Sequence, residues 1–78
     1  MSITKDIQSS IEDALTDASV VVTDNGGGHF ALEVTSPDFA GKNTLAKQRL
    51  VLKSIKHLMA GDAAPVHAID HMKTHTPD

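Results

Sequence analysis

Apolar residues recur every fourth position at the start of the chain. In "SITKDIQSSIEDALTD", Ile3, Ile7, Ile11 and Leu15 form one ridge of a helix, leaving Asp6, Glu12 and Asp13 to solvent. Ser2 or Thr4 is the candidate N-cap. The period then changes from four to two. "SVVVT" is β-branched and reads as a strand, and "DNGGG" supplies residues that tolerate positive φ. In "HFALEVT", Phe30, Leu32 and Val34 alternate with His29, Ala31, Glu33 and Thr35. The pattern predicts a β-hairpin with one face buried and the other partly wet.

Pro37 ends that strand, and "SPDFAGK" reads as a structured turn anchored to the core by Phe39. Asn43 can cap a second helix, "TLAKQRLVLKSIKHLMAG". Its expected apolar stripe is Leu45, Leu52, Ile55 and Met59, widened by Val51 and Leu58, with Gly61 as the stop. After a "DAAP" linker, "VHAIDHMKT" is extended, with Val66 and Ala68 alternating against His67 and Ile69. The predicted order is α-β-β-α-β, an α+β domain with two helices on one face of a three-stranded sheet.

Composition narrows the class. Seventy-eight residues suit one small domain with a modest core. With no cysteine there is neither a disulfide framework nor a thiolate zinc site to supplement that core. Two Phe, with no Trp or Tyr, offer no stacking platform for single-stranded nucleic acid. The apolar runs are too short to span a bilayer, and no basic segment followed by an apolar one opens the chain. The expectation is a cytoplasmic, monomeric protein without membrane attachment, or an organelle-matrix protein if a targeting segment has been removed.

The formal net charge of −3 argues against broad binding to phosphate backbones. The charge is uneven, however. Lys42, Lys47, Arg49, Lys53 and Lys56 fall within one acid-free stretch, whereas acids dominate the N-terminal third. This basic run is a solvated helix face, a docking surface for an acidic partner, or a contact to DNA. "NGGG" joins two strands, so it is a turn and not a phosphate-cradling loop leading into a helix.

Three of the five histidines lie in "APVHAIDHMKTHTPD". On a strand, His67, His71 and His75 would share a face but stand about 13 Å apart per step, too far to bind one metal together. From spacing alone, His67 is a half-buried edge-strand histidine, hydrogen-bonded and inert. His29 points away from the core face and can bond locally to fix the hairpin, and His57 lies on the surface. With no cysteine nucleophile and no general-base spacing around the serines, enzymatic catalysis is not expected.

Several stretches together resemble the BolA family: "GGGHFALEVTSPDFAGK", the helix start "LAKQRLV", and "VHAIDHMKTHTP". The likeness runs from about Ile3 to Pro77 and rests on the order and spacing of these motifs. It implies the α-β-β-α-β order in a class II KH-like arrangement. It also implies a partner, a monothiol CGFS-type glutaredoxin, with which such proteins hold a bridged [2Fe–2S] cluster. The glutaredoxin and glutathione give thiolates and the BolA protein gives the imidazole of its last strand, at the position of His67 here. Lys47 and Arg49 correspond to the family's basic helix start. The family's link to transcriptional control keeps an alternative open, a small DNA-binding regulator using the second helix and the preceding turn.

The sequence departs from the family pattern in three places. The loop between the first strands is short and lacks the usual Cys or His, leaving His29 as the nearest imidazole and the candidate second ligand. The interval from His67 to Thr76-Pro77 is one residue longer than usual, which predicts a bulge near Asp70 and His71. The family's Trp after Thr-Pro is missing. The expected function is that of a glutaredoxin-binding adaptor that coordinates or transfers a [2Fe–2S] cluster in iron homeostasis. His67 and His29 are its candidate metal ligands, and Lys42, Lys47, Arg49 and Lys53 its candidate partner or nucleic-acid contacts.

Overall fold

The computed structural model describes residues 2–61 and 64–77. Helix α1 (Ile3–Ala14) leads through a turn into strand β1 (Ser19–Gly26), which returns as β2 (His29–Thr35). A 3-10 turn (Pro37–Phe39) and helices α2 (Thr44–Ser54) and α3 (Lys56–Met59) precede strand β3 (Ala68–His75). The sheet order is β1-β2-β3. β1 pairs antiparallel with β2 and β3 pairs parallel with it, so the fold is α+β with a mixed sheet.

The predicted α1 ridge lies in the core. Ile7 and Ile11 are fully buried, Leu15 nearly so, and Ile3 packs at the margin. Ser2 occupies the N-cap, although its hydroxyl bonds the Thr4 hydroxyl instead of a helix amide. The β2 alternation is also as expected, with Phe30, Leu32 and Val34 buried beneath the helices. Each such side chain contributes about 1.5–3 kcal/mol on burial. Phe39 is fully buried and anchors the 3-10 turn. Ser36 secures the turn at its base by donating to the Thr16 carbonyl and accepting the Asp38 N–H.

The second helical region departs from expectation in two ways. First, it is not one helix. Ile55 leaves helical geometry (φ −114°, ψ 11°), and its N–H bonds Leu52, three residues back. Beside it Ser54 Oγ donates to the Val51 carbonyl at 2.6 Å, the kind of side-chain bond that competes with the helix ladder. Second, the stripe is rotated. Val51 and Ile55 are fully buried, whereas Leu45 is 55% and Leu52 37% exposed. The core-facing i, i+4 pair is Val51–Ile55, which turns Leu45 and Leu52 onto the face that carries Arg49, Lys53 and Lys56. The capping chemistry is as predicted: Asn43 Oδ1 accepts the Ala46 N–H at 2.9 Å, and Gly61 takes a positive φ of 87° just past α3.

The strands are bounded differently too. β1 runs beyond "SVVVT" through Gly26, so the turn is only Gly27–Gly28, both at positive φ as a two-residue hairpin turn requires. β3 begins at Ala68 and not at Val66. Val66 is buried ahead of the strand, its N–H bonded to the Leu58 carbonyl, and Ile69 packs against the core. The expected alternation at this point therefore fails, because regular pairing has not yet begun. Asp62 and Ala63 of the linker lie outside the described residues.

Since Ile55 fills the core and Leu45 faces water, their truncations should separate. Ile55→Ala should lower the unfolding free energy by about 2–5 kcal/mol. Leu45→Ala should change it by no more than about 0.5 kcal/mol. Urea unfolding followed by circular dichroism measures both.

Candidate functional site

The site lies at the end of the sheet where the hairpin turns and β3 arrives. Gly28 ends the turn, and its carbonyl accepts two amides from the incoming strand, His67 N–H at 2.8 Å and Ala68 N–H at 3.2 Å. The His67 ring lies directly against Gly28, where an added Cβ would stand 2.9 Å from the ring Cγ. Glycine is thus needed at this position both for its positive φ of 80° and for the space under the imidazole.

His67 itself is exposed, and its ring nitrogens bond no described residue; the histidine ring bonds present belong to His29, His57 and His75. The inert, half-buried, hydrogen-bonded role suggested by spacing is not what the structure shows. Glycine and the backbone position the imidazole, and no described residue takes up its nitrogens.

His29 pairs across the ladder with Ala68, beside His67, so both imidazoles belong to the same end of the sheet. His29 is exposed, and its Nδ1 lies 2.9 Å from Asp70 Oδ1, so its expected local role is present. Asp70 is the extra residue of the predicted bulge: Phe30 pairs with Ile69 and Ala31 with His71, leaving Asp70 unmatched. Its second oxygen accepts Asn25 Nδ2–H at 3.1 Å. The His29 bond, and after it the Asn25 bond, holds the Asp70 carboxyl below the ordinary carboxylate pKa.

The bulge also overturns the expectation that His67, His71 and His75 share a face. One extra residue between His67 and His71 reverses the alternation. His71 sits opposite Ala31, and His75 Nε2 lies 3.0 Å from Glu33 Oε2 at the far end of the strand. His57 is on the surface as expected, 3.3 Å from Ser10 Oγ. Among the described residues no group of three or more His, Cys, Asp or Glu side chains could hold a metal. A metal bound at this end would need ligands from outside the described residues beyond the imidazoles of His67 and His29.

The basic residues occupy the adjoining surface. Lys42, Arg49 and Lys53 come together around a shallow groove of about 390 Å³ floored by Leu45 and Leu50. Lys47, half-buried, lies outside that lining. The ion pairs among the described residues are His29–Asp70 and His75–Glu33, so none of these cations is neutralised. Arg49 and Lys53 continue into a second depression with Leu52, Lys56 and Met59, and Met59 also walls the small hollow that contains His67. The basic face of α2 and the His67 site are therefore one continuous surface. The sequence places the "GGGHF" hairpin start, and with it Gly28, at the mouth of the site, but does not reveal Asn25 and Met59 as parts of it and marks Asp70 only as the place of a bulge. No helix among the described residues is long and apolar enough to cross a membrane.

Gly28→Ala should combine a strained φ with a collision against the His67 ring, costing about 1–3 kcal/mol. It should also displace the His67 ring resonances in a proton–nitrogen NMR spectrum.

Comparison with known proteins agrees with this architecture. Residues 5–78 match the family described as BolA-like protein. The UV-induced protein uvi31 of Schizosaccharomyces pombe is 37% identical over 57 residues, 73% of this chain and 53% of that protein, so the chain spans about half the length of this relative. A Bol-like protein from Babesia bovis superposes with a TM-score of 0.81 at 32% identity, covering 99% of this chain and 87% of that one. A BolA homologue from Coxiella burnetii gives 0.79 at 36% identity, covering 100% and 95%. With its motifs, topology and nearly complete coverage in agreement, this chain belongs to the BolA-like family.

Proposed function

We propose that this protein is an adaptor that docks on a monothiol CGFS-type glutaredoxin and helps hold or pass on a bridged [2Fe–2S] cluster. The observation that carries this reading is His67: an exposed imidazole, backed by Gly28, whose nitrogens bond no described residue, on a surface continuous with basic residues that form no ion pair among the described residues. A bound cluster would supply iron that accepts nitrogen as well as thiolate ligands. The chain's own contribution is to hold the His67 ring at the rim of the sheet. Lacking cysteine, it relies on the glutaredoxin and glutathione for thiolates.

The second helix serves docking. Lys42, Arg49 and Lys53 steer an acidic partner surface, Lys47 adds to the same field, and Leu52 and Met59 give an apolar patch between the cations and His67. The alternative use of this face, on DNA, requires the steep loss of affinity with salt that accompanies release of counterions from phosphates.

The test is anaerobic titration into a CGFS glutaredoxin loaded with [2Fe–2S], followed by visible circular dichroism. The spectrum should shift and saturate at one adaptor per cluster, and His67→Ala should alter that shift while leaving the far-ultraviolet spectrum intact. An unaltered shift in the variant would remove His67 from the ligand set. Arg49→Ala and Lys53→Ala should each weaken association by no more than about fivefold, as exposed charges do, without changing the saturated spectrum.

A further inference from the structure

The hairpin and β3 each carry an irregularity, and the two lie on either side of the start of β2. On β1, Asp24 pairs with Phe30 and Gly26 with His29, which leaves Asn25 as the extra residue. On β3 the extra residue is Asp70. Their side chains meet, Asn25 Nδ2 donating to Asp70 Oδ2 at 3.1 Å, and Asp70 Oδ1 takes His29 Nδ1 at 2.9 Å. Two bulges on different strands thus converge on one imidazole of the strand between them.

The chemistry of this contact has a direction. Asp70 is an exposed carboxylate, ionised at neutral pH, and such a group only accepts hydrogen bonds. The proton shared with His29 therefore resides on Nδ1. In the neutral ring that leaves the lone pair on Nε2, and Nε2 has no hydrogen-bond partner among the described residues. A carboxylate bonded to one imidazole nitrogen while the other is open is the arrangement that orients histidines toward metals. Asn25, on the other carboxylate oxygen, restrains Asp70 from rotating away.

We infer that Asp70 is a positioning residue that fixes His29 as the Nδ1–H tautomer and leaves its Nε2 as an open nitrogen at the end of the sheet where β3 begins. The delivery of that nitrogen to iron rests on the cluster reading above; the tautomer and the clamp do not. The sheet end then offers two imidazoles in different ways, His67 set by glycine and backbone, His29 set by a carboxylate.

Long-range proton–nitrogen NMR of the histidine rings tests this on the whole chain without iron, at a pH above the histidine range. In the wild type the Nδ1–H form of His29 should exceed the other by about tenfold or more, as one charge-assisted hydrogen bond sustains. In Asp70→Ala the ratio should invert toward the Nε2–H form that free imidazole favours. Asp70→Asn, which keeps an acceptor oxygen without the charge, should fall between. A wild-type ring in the Nε2–H form, or an Nδ1–H form that persists in Asp70→Ala, overturns the inference. Should Asp70→Ala fail to fold, the wild-type ring and the Asn variant decide it. Titrating Asp70→Ala into the cluster-loaded glutaredoxin tests the second part. An altered visible spectrum supports use of Nε2 on iron, and an unaltered one overturns that use while the apo tautomer is judged separately.

Discussion

The pairing of β2 on both edges is the constraint on which the rest of the molecule depends. This seven-residue strand receives β1 antiparallel on one side and β3 parallel on the other, while its inward residues Phe30, Leu32 and Val34 form the floor of the core. A one-residue slip would expose all three, so burial fixes the register. The same register brings Gly28 under His67 and His29 beside Ala68. Core packing and site geometry are two readings of one alignment. That is why a protein with so little interior can hold surface imidazoles in defined places.

Much of this order can be read from the chain. The four-residue spacing of α1, the two-residue alternation of β2, the Asn43 cap and the buried Phe39 all follow from local periodicity and local chemistry. The bulge on β3 was visible as one residue too many between His67 and Thr76-Pro77, and Asp70 is that residue. What stayed hidden depends on contacts far apart in sequence. Leu45 and Leu52 look like core residues until Val51 and Ile55 turn toward the sheet and take their place. The break at Ile55 coincides with the Ser54 hydroxyl bonding the Val51 carbonyl, a competition with the helix ladder that apolar periodicity does not register. The clamp on His29 combines Asn25 with Asp70, residues on outer strands that meet only because each strand has gained a residue. No periodicity in a single segment announces such a pair.

The surface chemistry fits a molecule that contributes to a centre instead of enclosing one. No described cluster of donors could bind a metal alone, and the exposed His67 imidazole at the sheet end lines only a small open hollow. The acid-free second helix carries cations that form no ion pair among the described residues. The exposed leucines among them suit a macromolecular surface more readily than a small ion.

The parallel joining of β3 has a further consequence, in the time order of folding. The β1–β2 hairpin closes through a two-residue turn, a local event of the microsecond class. A parallel strand cannot be added that way; β3 reaches β2 only after the chain has crossed over through α2 and α3. His29 is therefore carried by an early, local structure, whereas His67 and Asp70 arrive with the last, non-local strand. A nascent chain whose hairpin has formed still lacks the complete recognition surface. The two imidazoles share one end of the sheet only in a chain whose β3 is in place.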